Sequence, residues 1–152
     1  MSSLLEVQIK KVKPSGDAKI PQYSTPGAAG ADLHACLDND MVIKPGERVA
    51  IPTGIALELP GAHVVGLVFA RSGLASKKGL ALSNGVGVID SDFRGEVKVL
   101  AINLGREDIV IQNGDRIAQI LFTNAFQAKF IEVLELEDTL RGEGGFGSTG
   151  QK

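Results

Sequence analysis

Cysteine and histidine are almost missing from this chain. A single cysteine, Cys36, excludes an internal disulfide and argues for a reducing compartment. The only two histidines, His34 and His63, stand far apart without ligand spacing, which argues against zinc. No cluster of carboxylates at ligand spacing takes their place. Charge of one sign is lacking too. Sixteen Lys and Arg face 18 Asp and Glu, a formal net charge of −2. Bulk electrostatics therefore do not draw nucleic acid, and any anionic ligand needs a local cluster of cations. No apolar run is long enough to span a membrane. The opening MSSLLEVQIKKV lacks the apolar core of a signal peptide. The expectation is a cytoplasmic protein without membrane or nucleic-acid partners.

What is present is ordinary for a globular chain. The 152 residues are 43% hydrophobic and 22% charged, which suits one domain with a real core. Leu5, Val7 and Ile9 alternate with Glu6, Gln8 and Lys10, the period of a half-buried strand. Residues 14–30 are rich in Pro, Gly, Ser and Thr and read as loop. Short β segments follow at 41–43, 48–51, 55–59, 64–69, 96–104, 108–111, 116–122 and 130–136. Turns at Pro45-Gly46, Pro60-Gly61, Gly105 and Asn113-Gly114 separate several of them. Many short strands at close spacing predict an all-β sandwich or barrel.

Three stretches stand out. In 84–99, NGVGVIDSDFRGEVKV, an apolar run with a bare glycine leads to a turn cluster and then an alternating strand, which reads as a β-hairpin. Glycine beside apolar residues lets a flat ligand approach the backbone. Asp90 ends the run, where it fits either a general base or a turn former. In 71–79, RSGLASKKG, Ser72 is an N-cap candidate and Gly79 stands where a C′ glycine belongs, predicting a short helix. Its start, with Arg71, fits either an anion site or a plain connector. The tail 138–152 carries five glycines and cannot pack a core. It is either a disordered end or a ligand clamp built on Arg141, Phe146, Ser148 and Thr149.

Five motifs in order carry a resemblance over nearly the whole chain: AGADL at 29–33, ARSGLA at 70–75, NGVGVIDSDFRG at 84–95, GDRIAQ at 114–119 and RGEGGFGSTG at 141–150. Together they resemble the trimeric dUTP diphosphatases. The resemblance implies a jelly-roll-like β barrel over 1–137 with one short helix, and a flexible arm over 138–152 that closes an active site. It implies a homotrimer with sites shared between subunits, and Mg²⁺-dependent cleavage of dUTP to dUMP and pyrophosphate. That reaction limits uracil in DNA and supplies dUMP for dTMP synthesis. By the same resemblance, Asp90 accepts a proton from the water that attacks the α-phosphorus. Asn84, with backbone around Gly87 and Val88, reads the uracil. Phe93, where the family usually has Tyr, packs under the deoxyribose. Arg71, Ser72, Gly73 and Gln119 hold phosphates. Asp32 supports the metal through water. Arg141, Phe146, Gly147, Ser148 and Thr149 clamp the nucleotide from the tail. Ala70 departs from the usual Pro, and Ala restrains the approach to Arg71 less. Two other readings remain: a dCTP deaminase of the same superfamily, and a non-catalytic nucleotide-binding β protein.

Overall fold

The computed structural model describes residues 4–13 and 17–145. In chain order the described elements are β1 (Gln8–Lys11), β2 (Gln22–Tyr23), β3 (Ala31–His34), β4 (Met41–Ile43), β5 (Arg48–Glu58), β6 (Val64–Phe69), α1 (Ser72–Lys78), β7 (Leu80–Leu82), β8 (Gly87–Ile89), β9 (Glu96–Asn103), β10 (Ile109–Ile111) and β11 (Arg116–Asn124). They form a four-stranded sheet β1-β5-β9-β7, a five-stranded sheet β2-β3-β11-β6-β8 and a two-stranded sheet β10-β4. Every pairing among them is antiparallel. This is the expected all-β, jelly-roll-like barrel with one short helix.

The core lies between the sheets and is filled by alternate residues of each strand. In β9 the buried set is Val97, Val99, Ala101 and Asn103, while Lys98 and Leu100 face out. Leu33, Ile43, Ile51, Ile55, Ile111, Ile117 and Ile120 meet them from the other strands, all essentially fully buried. β-Branched residues dominate because they pack well on pleated surfaces. Two polar side chains, Thr53 and Asn103, sit among them, and the Thr53 hydroxyl donates to Val97 O. Asn103 donates through Nδ2 to the carbonyls of Ile43 (2.9 Å) and Glu107 (2.8 Å), and its Oδ1 accepts from Gly105 N (2.8 Å). With both ends satisfied, it ties β9 to β4 without a desolvation penalty left open.

The structure corrects three expectations. The stretch 84–99 is not a hairpin. β8 pairs with β6, at Gly66↔Ile89 and Val68↔Gly87, whereas β9 pairs with β5 and β7. The turn 90–95 therefore carries the chain from one sheet to the other. Alternation fixes which face a residue takes, not which strand lies beside it. The strand expected at 130–136 does not form, and no strand is found among the described residues beyond Asn124. Phe126, Phe130, Leu134, Leu136 and Leu140 are almost wholly exposed there. Ser72 is not the helix cap: it is the first helical residue, and Arg71 occupies the cap position with extended backbone and no capping side-chain bond. Gly79 does cap the other end, at φ 76°, its N–H bonding back to Ala75 O.

Candidate functional site

Two cavities gather most of the residues expected to act. The first, about 260 Å³, is a slot at the join of β6, β8 and β9. Asn84, Gly87, Val88, Asp90 and Phe93 all line it, over an apolar floor that includes Val68, Leu82, Val97 and Val99. Gly87 lies so close to β6 that a Cβ there would stand 3.0 Å from Val68 Cβ. Absence of a side chain thus lets β8 close down and leaves backbone at the slot wall. The turn past β8 is held by Phe93 N donating to Asp90 O at 3.2 Å. Arg94 closes it further, donating to Ser91 O at 2.8 Å. Asp90 is exposed at the rim, where its carboxylate meets solvent.

The second cavity, about 810 Å³, is an open cleft beside α1. Asp32, Arg71, Ser72, Gly73 and Gln119 line it. Strand register explains why they meet. Gln119 on β11 pairs with Asp32 on β3 at one side and with Phe69 on β6 at the other. Those three side chains form one row on the outer face of the sheet, and Arg71 leaves the end of β6 beside them. Asp32 is ion-paired with Arg71 Nε at 3.0 Å, and its Oδ2 accepts from Arg116 Nη1 at 3.5 Å and from Ser24 Oγ at 2.8 Å. Gln119 Nε2 donates to Ala70 O at 3.1 Å. That bond fixes the approach to Arg71 where a proline is absent. The cleft lining holds Arg71, Lys77 and Lys78 against Asp32 alone. A chain of net charge −2 therefore carries a local excess of positive charge here, the cluster that an anionic ligand requires. Arg116 and Ser24 carry no signal of their own in the sequence, and Lys77 and Lys78 read there only as the basic end of the helix. Arg116 lies inside GDRIAQ, but its partner becomes visible only when β11 is paired with β3.

His34 ends the same strand as Asp32. Its Nδ1 is buried and has no hydrogen-bond partner among the described residues. Burial, and then the charge of Lys19, hold its pKa below the usual value despite Asp32.

The two cavities share no lining residue. Val68 lines the slot and Phe69 the cleft, and consecutive strand residues point to opposite sides. One chain thus presents slot and cleft on opposite sides of β6. Arg141 lines neither. It is exposed, and its Nε donates to Gly144 O at 2.9 Å. Phe146, Gly147, Ser148 and Thr149 lie outside the described residues. The donor set also bears on a metal. No group of three or more His, Cys, Asp or Glu converges among the described residues. Asp32 is already engaged by protein, with Oδ2 accepting from Ser24 and Arg116 and Oδ1 paired with Arg71. Such a set fits a hydrated cation carried by a phosphate ligand, not one caged by protein.

Known proteins resemble this chain in sequence and in fold. The dUTPase family model matches residues 16–150. The chain is 58% identical over 146 residues to the deoxyuridine 5'-triphosphate nucleotidohydrolase of Desulfitobacterium hafniense, covering 96% of this chain and 97% of that one. Among solved structures, Staphylococcus bacteriophage 80alpha dUTPase with dUPNHPP superposes with a TM-score of 0.82 at 26% identity, over 95% of this chain and 98% of that one. A mutant dUTPase from phage phi11 of S. aureus, described for its structural Mg(II) ion, shares the fold at a TM-score of 0.77 and 22% identity, over 88% and 99%. From the family match and the relative's identity over nearly the full length, the chain belongs to the dUTPase family.

Proposed function

We propose that the protein hydrolyses dUTP to dUMP and pyrophosphate by attack of water at the α-phosphorus. The observation that carries this reading is the pair of half-sites: an apolar slot ending at Asp90, and a cleft of surplus positive charge. Asp90 takes the proton from the attacking water as the P–O bond to the pyrophosphate leaving group breaks. Asn84 reads the edge of the uracil, together with backbone groups at Gly87 and Val88, and the close wall leaves no room for a thymine methyl. Phe93 packs against the deoxyribose. Arg71 and the backbone of Ser72 and Gly73 bind phosphate oxygens, and Gln119 orients the α-phosphate and the water. Arg141, Phe146, Gly147, Ser148 and Thr149 close over the nucleotide, so that 1–137 acts as the barrel and 138–152 as its lid.

Mg²⁺ bound by the triphosphate supplies charge neutralisation when present. Asp32 would support that ion through its bound water, and its ion pair keeps Arg71 aimed into the cleft.

The working form in this reading is a homotrimer. That slot and cleft share no lining residue and lie on opposite sides of β6 supports a site that joins the slot of one chain to the cleft of another. The exposed apolar segment that follows β11 supports assembly, because such a length of apolar surface is unusual on a lone chain. In the cytoplasm the reaction would keep uracil out of DNA and supply dUMP for dTMP synthesis. The test is incubation with dUTP, UTP, dTTP and dCTP in Mg²⁺ while pyrophosphate is measured. Pyrophosphate from dUTP far above the others is expected. Ammonia from dCTP instead would replace the proposal with a deaminase.

A further inference from the structure

The wall that faces the sugar has a support of its own. A Cβ built on Gly95 would stand 2.6 Å from Phe93 Cζ and 2.9 Å from Cε2. Carbon atoms in ordinary contact sit about 3.5–4.0 Å apart. The Phe93 ring thus occupies the volume that any side chain at position 95 would need. The ring is 41% exposed, so it is not wedged by the core from its other sides. The ring lies against the bare backbone of Gly95, in the turn that Arg94 pins through Ser91 O. Gly95 is absent from the positive-φ glycines, so its backbone conformation does not require glycine. Space for the ring is the remaining demand.

We infer that Gly95 is a positioning residue for substrate discrimination: it seats the Phe93 ring at the depth where the ring admits a 2′-deoxy sugar and clashes with a 2′-hydroxyl. The inference rests on the assignment of Phe93 to the deoxyribose. A hydrophobic wall rejects an added hydroxyl weakly unless it is placed to clash with it. Placement is therefore the property that matters, and Phe93 alone does not guarantee it. Gly95→Ala makes the ring swing away by about 1 Å to regain normal contact. The backbone keeps its path, and Asp90 keeps its chemistry.

The experiment is a cycle of four proteins, wild type, Gly95→Ala, Phe93→Ala and the double variant, each assayed for kcat/KM on dUTP and on UTP. The ratio of the two should fall about threefold to tenfold in Gly95→Ala, mainly through a lower KM for UTP as the clash is relieved, and by a similar factor in Phe93→Ala. Adding Gly95→Ala to Phe93→Ala should change the ratio no further, because the ring it displaces is gone. Thermal midpoints report folding, and a loss in Gly95→Ala that the double variant regains again identifies the ring as the partner. If Phe93→Ala shifts the ratio and Gly95→Ala does not, the seat is overturned while the sugar assignment stands. If Gly95→Ala shifts it equally in both backgrounds, the effect runs through the backbone and the inference is likewise overturned. An unchanged ratio in Phe93→Ala defeats the sugar assignment itself.

Discussion

The slot and the cleft are built by opposite means. The slot is a matter of missing atoms: Gly87 lets β8 close against β6, and Gly95 leaves room for Phe93. The cleft is a matter of charged groups: Arg71 and Arg116 converge on Asp32, with Lys77 and Lys78 along the lining. In the proposed reaction, a slot defined by shape would select among bases and sugars. A cleft defined by charge holds phosphates with little regard for what they carry. Variants on the two sides should therefore fail differently.

Asp90→Asn is expected to have the largest effect. It keeps the shape of the rim and removes the proton acceptor, so kcat should fall about 10²- to 10⁴-fold. Calorimetric titration with a non-hydrolysable dUTP analogue should still show near-normal binding. A near-wild-type kcat would remove Asp90 from the role of base. On the cleft side, Arg71→Ala should act first on affinity. A charge-assisted hydrogen bond contributes about 1.5–3 kcal/mol, which corresponds to roughly tenfold to hundredfold in KM. The dUTP/UTP ratio should stay put. If that ratio moved as much as KM, the division between shape and charge would be wrong.

Gly30→Ala tests whether the cleft too depends on a missing side chain. A Cβ there would stand 2.5 Å from Gln119 Oε1 and 3.1 Å from its Cβ. Gln119 must turn, which should release its bond to Ala70 O and lower kcat by about tenfold, one bond's worth of positioning. Steady-state kinetics with an unchanged kcat would show that Gln119 adapts without cost.

The smallest effect concerns His34. Its folded pKa lies below the usual value, so the unfolded chain binds a proton more readily than the folded one. Stability from this group is complete above about pH 6.5 and declines as pH falls through the folded value. Thermal midpoints of wild type and His34→Gln, followed below neutral pH, should converge on the acid side if His34 is responsible. Parallel curves would assign the acid loss elsewhere.

The slot was more legible in the sequence than the cleft. Asn84, Gly87, Asp90 and Phe93 fall within one short stretch, and glycine beside apolar residues already signals close backbone approach. The cleft assembles from β3, the end of β6 and β11, and Asp32 reaches Gln119 only through strand register. Local pattern carries no register, so Arg116 and Ser24 went unseen as partners of Asp32. The same limit explains the hairpin that does not exist. The alternation over 96–99 correctly gives the buried face of β9, yet β8 finds its partner in β6. Gly79 was readable as a cap because its signal is local, whereas Ser72 lost the cap position by one residue. The apolar pattern over 130–136 resembles a strand in composition, but the described chain offers it no partner.

The claim that joins slot and cleft is that they come from different chains, with a third element, the lid, also lent across the assembly. Complementation between two inactive variants tests it most directly. One is Asp90→Asn with its tail intact, and the other keeps Asp90 but is cut before Arg141. In co-expressed mixed trimers, verified by native mass spectrometry, random pairing in a ring gives each site a half chance of a sound Asp90 and a half chance of a sound tail. Roughly a quarter of wild-type activity should return. If Asp90 and the tail serve a site from the same chain, every site lacks one of them. Activity that stays at the level of the separate variants, in trimers shown to be mixed, would contradict the shared site.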